Sequence, residues 1–125
     1  MTKEQALHSF YSSFGLTAFE ENTIPTGENK PKLPYITYNV VTDSFDKEVA
    51  LTLNVWYRGT SWLPCNEKTE EISAKIGYGG IILPCEGGRI WLKRGSPFAQ
   101  NMSDPSDDLI KRKYINITAE FFTVN

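Results

Sequence analysis

Three carboxylates fall within five residues, at Asp104, Asp107 and Asp108. Grouped acids can hold Ca²⁺ or Mg²⁺, hard cations that take oxygen ligands. The spacing lacks the calcium-loop pattern and its terminal bidentate Glu, and the basic run Lys111, Arg112, Lys113 follows directly. A solvated acidic loop with local charge pairing accounts for the cluster better than a cation site. No metal and no cofactor are therefore expected.

Nucleophilic chemistry fares no better. His8 is the sole histidine, on a stretch read as a helix near the core stripe, and is expected to be a structural or surface residue. Cys65 falls on an apolar helical stripe, which favours a buried thiol over an activated thiolate. Cys65 and Cys85 form neither a metal-binding pair nor a disulfide framework, and reduced thiols are the expectation. The glycines at 77, 79, 80, 87 and 88 precede no helix, so a phosphate cradle is not supported and turns explain them. Arg89, Trp91, Lys93 and Arg94 make a short basic-aromatic cluster that could stack and pair with nucleic acid. The charge does not extend along the chain, and 13 basic against 15 acidic residues give a net charge of −2, so sequence-specific nucleic-acid binding is not expected. Asn101-Met-Ser and Asn116-Ile-Thr match the glycosylation pattern, but the polar start of the chain reads as no secretory signal.

The elements that must carry these residues are legible from periodicity. With 125 residues, one domain spanning 1–125 is expected. Leu7, Phe10, Tyr11 and Phe14 line one face of a helix over 3–14, with Thr2 and Gln5 as a capping box and Gly15 as the stop. Residues 16–33, with Pro25, Gly27 and Pro31, read as a long loop. From Pro34 the period becomes two. Ile36, Tyr38 and Val40 oppose Tyr35, Thr37 and Asn39, then polar residues 43–47 turn the chain. Val49, Leu51, Leu53, Val55 and Tyr57 then line the inner side of a second strand. A helix beginning at about 61 or 66 and ending at 76 carries Trp62, Cys65, Thr69, Ile72 and Ile76 on one stripe. Residues 81–83 and 89–93 form a hairpin about Glu86-Gly87-Gly88. Residues 95–108 read as a second long loop, and 114–123 as a closing strand. The expected fold is α+β, a mainly antiparallel sheet of about five strands with two helices on one side, in the order α-β-β-α-β-β-β.

No chemistry emerges, and the two loops carry apolar residues among polar ones, which suits protein contact. The segments Leu33-Pro-Tyr-Ile-Thr-Tyr, Trp56-Tyr-Arg and Arg94-Gly-Ser-Pro-Phe-Ala-Gln, with Asp104-Pro-Ser-Asp-Asp-Leu-Ile-Lys-Arg and the closing strand, resemble small tail-completion proteins of prophages of Gram-positive bacteria. The order of elements is similar to the tail-terminator fold of long-tailed phages. The resemblance implies a non-catalytic virion subunit without cofactor. It would assemble with itself into a ring, a hexamer by the family's pattern, that caps the tail tube and supports joining to the head. Tail tube protein and head-tail connector or neck proteins would be its other partners, with no membrane. Its place would be the head-proximal end of the tail, after a stay in the host cytoplasm.

Ile24, Arg94, Phe98, Met102 and Asp104 are the candidate contact residues for the ring. Three other readings stay open at this point. A head-completion or neck connector would share the fold, and particles lacking it would leak DNA from their heads. A monomeric phage-encoded binding module would stay monomeric and capture one host protein. A small metal enzyme would lose divalent-ion binding on substitution of Asp104, Asp107 and Asp108.

Overall fold

The computed structural model describes residues 1–45 and 47–125. It is an α+β structure with two helices, α1 (Lys3–Tyr11) and α2 (Leu63–Ile76), and six strands. These are β1 (Ala18–Glu20), β2 (Tyr35–Tyr38), β3 (Val49–Arg58), β4 (Ile81–Cys85), β5 (Gly88–Ser103) and β6 (Ile110–Thr123). They form one curled sheet in the order β1-β2-β3-β6-β5-β4, with β1 parallel to β2 and every other neighbouring pair antiparallel.

Local chemistry explains the helix ends. Thr2 Oγ1 accepts from the Gln5 amide at 3.1 Å and Gln5 Oε1 accepts from the Thr2 amide at 2.9 Å, the reciprocal capping box. A single 3₁₀ turn, Ser12–Phe14, extends α1 to Gly15, whose φ of 80° ends it. Pro64 sits in the first turn of α2, where its missing N–H breaks no intrahelical bond. The Gly77 amide closes the other end on the Ser73 carbonyl.

One core lies between the helices and one sheet face. Cross-strand pairs Leu51–Ile117 and Leu53–Ile115 continue through Ala119–Leu92 and Phe121–Ile90, and all eight side chains are buried. Ile36 and Tyr38 extend the layer on β2. Leu7, Phe10, Tyr11 and Phe14 from α1, and Cys65, Ile72 and Ile76 from α2, close it from above. Cys65 donates to the Val55 carbonyl at 3.5 Å, and burial pushes its thiol pKa up. Truncating any of these large side chains to Ala would cost about 2–5 kcal/mol.

The sheet has six strands, and this corrects the expectation of five. Ala18–Glu20 lies within 16–33, read as loop, yet pairs in parallel with Ile36–Tyr38. A three-residue strand is too short to show alternation. The order becomes α-β-β-β-α-β-β-β, and the sheet is mixed. The polar turn read at 43–47 includes Asp46, which lies outside the described residues.

The second correction is larger. Residues 95–103, read as loop, belong to β5, which runs unbroken from Gly88 to Ser103 against β6. Pairing steps from Arg94–Ile117 to Ala99–Ile115, so the four residues 95–98 face Asn116 alone. Asn116 Nδ2 donates to the Pro97 carbonyl at 2.9 Å and pins this wide bulge. The three surplus residues are an odd number, so the faces of β5 exchange. Before the bulge Ile90 and Leu92 point to the helices; after it Ala99 does, while Gln100 and Met102 point away. Glycine, serine and proline punctuate the ladder here without ending it. Likewise β6 begins at Ile110, not at Tyr114.

The hairpin at 86–88 has the glycine it requires. A Cβ at Gly88 would lie 1.8 Å from the Phe122 carbonyl oxygen, so no other residue fits.

Tyr11 is fully buried beside Tyr38, and its hydroxyl has no hydrogen-bond partner among the described residues. Desolvation holds its phenol pKa far above the ordinary value, so the group stays neutral. An unsatisfied buried hydroxyl costs about 1–3 kcal/mol. Tyr11→Phe removes it at nearly constant volume and is expected to raise the urea midpoint, stabilising by about 1 kcal/mol. A lower midpoint would show that the hydroxyl is held by a bond.

Candidate functional site

The sheet has a second face, and no helix of the described residues covers it. Strand alternation places Tyr35 and Thr37, Asn54 and Trp56, Arg112 and Tyr114, and Gln100 and Met102 there in two rows. The registers are Tyr35–Trp56–Arg112–Met102 and Thr37–Asn54–Tyr114–Gln100. Three of these side chains, Tyr35, Thr37 and Asn54, are buried even so, because their larger neighbours lie across them.

The polar groups are matched. Trp56 Nε1 donates to Thr37 Oγ1 at 2.9 Å, and Arg112 Nη1 donates to Asn54 Oδ1 at 3.3 Å. The Arg112 guanidinium lies 5.2 Å from the centroid of the Trp56 ring, within cation–π range. Tyr35 packs at 6.2 Å from Trp56, and Phe19 stands edge-on to Tyr35 at 5.7 Å. Arg112 makes no ion pair among the described residues. The result is a pre-ordered aromatic platform carrying a half-buried cation.

The five residues predicted as contacts do not converge. Met102 ends the aromatic row, where its sulfur accepts from Gln100 Nε2 at 3.3 Å. Arg94 is exposed on the helix side and donates to Ser73 Oγ of α2 at 3.0 Å. Phe98 lies in the bulge, half-buried against the core, so part of its contact is internal. Ile24 is half-buried in the crossover 21–34 between β1 and β2. Asp104 caps the turn after β5, accepting from the Ser106 hydroxyl at 2.7 Å and amide at 2.8 Å, bonds that lower its carboxyl pKa.

The Asp107 carboxylate of that turn is used locally as well. Asp107 accepts from the Leu109 amide at 3.0 Å and pairs with Arg58 at 3.4 Å. Among the described residues no three His, Cys, Asp or Glu side chains converge as metal ligands. The basic-aromatic cluster is split between faces, with Arg94 on the helix side and Arg89, Trp91 and Lys93 on the other, and Lys93 is its member held in ion pairs. Lys93 lies 4.3 Å from the Trp91 ring centroid and pairs with Glu48 at 2.6 Å and Glu120 at 3.2 Å. The hydrogen bond from Lys93 lowers the Glu48 carboxyl pKa, and its counterpart raises that of Lys93.

One triad-like arrangement exists, at the outer side of α1. His8 Nδ1 lies 2.7 Å from the Tyr38 hydroxyl and His8 Nε2 lies 3.3 Å from Ser12 Oγ. They border an open depression of about 810 Å³ with Glu20 and Val40. Burial, then the nearby Glu20 charge, raises the Tyr38 pKa, so a neutral phenol stands where a catalytic triad has the carboxylate that stabilises imidazolium. The arrangement holds the imidazole against the helix surface. A second open cleft, about 670 Å³, separates α1 from β4 and is lined by Phe10, Ile81, Leu83 and Cys85, with Lys75 on its wall.

Sequence reasoning missed Tyr35, Trp56 and Arg112 as a group. The available signal was a tryptophan on the wet phase of β3, alternating with Val55 and in step with Asn54 and Arg58. No helix of the described residues is long and apolar enough to cross a membrane. No family model matches the chain, and no curated protein and no solved structure matches it.

Trp56→Phe keeps an aromatic, though smaller, side chain and deletes the N–H donated to Thr37, whose hydroxyl is buried. The variant is expected to lose about 1 kcal/mol of stability by chemical denaturation, with the fold intact by circular dichroism. An unchanged midpoint would remove this bond from the ordering of the platform.

Proposed function

We propose that this chain is a non-catalytic structural subunit of a long-tailed bacteriophage, a tail-completion or tail-terminator protein that acts by assembling with copies of itself. The observation that carries the contact reading is the helix-free sheet face. Its aromatic row joins Tyr, Trp, Arg and Met, the residue types enriched at the cores of protein interfaces. Trp, Tyr and Arg also dominate binding energy where they are measured singly. The assignment to a phage tail is supported by the resemblance of the segments at 33–38, 56–58, 94–100 and 104–112 to small tail-completion proteins.

In this reading the monomer folds with one sheet face uncovered, and head-to-tail contacts close into a ring when the rotation between neighbours closes. The fold is then of tail-terminator type, and the ring is a hexamer. One side of it ends the tail tube by offering no further tube-like surface. The other side receives the head-tail connector or neck proteins. The ring sits at the head-proximal end of the tail, its subunits having waited in the host cytoplasm. Ile24, Arg94, Phe98, Met102 and Asp104 remain proposed contacts, and Met102 is the one that shares the aromatic row.

Silencing the gene in the phage that encodes this chain, followed by electron microscopy, tests the assignment. Overlong or unfinished tails are the expected result. Infectious particles with tails of normal length would overturn it, and full tails beside heads leaking DNA would move the chain to the neck.

A further inference from the structure

The outer side of α2 and the helix-free sheet face lie on opposite sides of the same molecule, and the charges that make no ion pair among the described residues differ in sign, Glu67 and Glu70 on the one and Arg112 on the other. Leu63, Glu67, Glu70 and Ala74 form one exposed stripe along α2, at i, i+4, i+7 and i+11. Glu67 and Glu70 make no ion pair among the described residues, and Leu63 is 59% exposed, a large apolar side chain left in water at the start of the helix. Across the molecule, Arg112 lies half-buried over Trp56 with no carboxylate at ion-pair distance among the described residues, Asp104 feeling its charge from further off, and Met102 completes its row.

We propose that the acidic stripe of α2 in one copy of this chain docks on the Trp56–Arg112–Met102 row of the next copy. Glu67 and Glu70 meet Arg112, and Leu63 rests on the Trp56 and Met102 side chains. The geometry of the parts agrees. A 14-residue helix is about 21 Å long and, with side chains, about 10–12 Å wide. Four neighbouring strands spaced by about 4.8 Å offer a face of similar width. The contact turns a two-layer protein into a helix–sheet–helix sandwich, a common way to cover both sheet faces. Because the two surfaces differ and face opposite ways, a symmetric dimer cannot satisfy both. Each copy keeps one free surface until the chain of contacts closes, which is the condition for a ring. Docking also supplies Arg112 with carboxylates at a site where the indole already shields it from water, so the pair gains more than a fully exposed one.

This inference rests on the self-assembly reading and is tested separately from it. The purified full chain is followed by sedimentation velocity at rising concentration in low salt. Self-association is expected, weakening as salt is added. Glu67→Lys with Glu70→Lys, both on an exposed helix face, is expected to weaken association about tenfold or more with an unchanged far-ultraviolet spectrum. Adding Arg112→Glu to that double variant restores charge complementarity and is expected to recover part of the loss. Met102→Asp, on the other side of the contact, is expected to weaken association without touching α2.

A chain that stays monomeric throughout, or association indifferent to both the α2 and the Met102 substitutions, would overturn this interface. Either result would leave the tail assignment to be decided by the particles made without the chain, which distinguishes the two failures.

Discussion

Strand β6 lies between β3 and β5 and sends Ile115, Ile117, Ala119 and Phe121 beneath the helices, all shut off from water. That burial is the constraint from which the other features follow. Two helices suffice to cover one face of the sheet, and α1 and α2 are both used there. No helix of the described residues remains to cover the other face, where Phe45 packs on Phe122 at one end. It must be compatible with solvent while the chain is alone, and its side chains achieve this in pairs: indole to hydroxyl, guanidinium to amide, cation over ring. A surface stabilised in this way is ordered before any partner arrives, so little conformational entropy is lost on docking.

The bulge at 95–98 tunes the same surface. Without its odd number of surplus residues, the distal half of β5 would keep the phase of Ile90 and Leu92. Met102 would then point towards the helix layer and Asn101 and Ser103 outward. The bulge exchanges them, so that the aromatic row gains a fourth, apolar member next to Arg112. Asn116, whose amide holds the Pro97 carbonyl, is thus a small polar residue on which the composition of the outer face depends.

Much of this was readable in the residues. Strong alternation at Leu51, Leu53 and Val55 and at Ile115, Ile117 and Phe121 located the core strands and their inward sides. Thr2, Gln5, Gly15 and Gly77 marked helix ends, and Glu86-Gly87-Gly88 marked the β4–β5 turn. What escaped had physical reasons. Ala18–Glu20 is a strand only because β2 lies alongside it, and three residues carry no period. Pro97 and Gly95 signal a loop in isolation, but the surrounding ladder on both sides overrides them. The five candidate contacts share apolar or charged character within stretches that read as loop, and pairing in space separates them. Arg94 binds Ser73 on the helix side, Phe98 leans on the core, and Met102 alone joins the aromatic row. The platform itself needed register, since Tyr35, Trp56 and Arg112 lie far apart in the chain and become neighbours only across strands.

In the proposed assembly the helix-free face is the working surface of the molecule, covered when the chain is in its assembled place. Hydroxyl-radical footprinting read by mass spectrometry can compare the free chain with the chain incorporated in tails. Trp56 and Met102 are oxidation-prone reporters at the centre of the proposed contact. Protection of both in the assembled form, with no change at the fully exposed Tyr78, is the predicted result. Equal oxidation of Trp56 and Met102 in the two states would contradict the account.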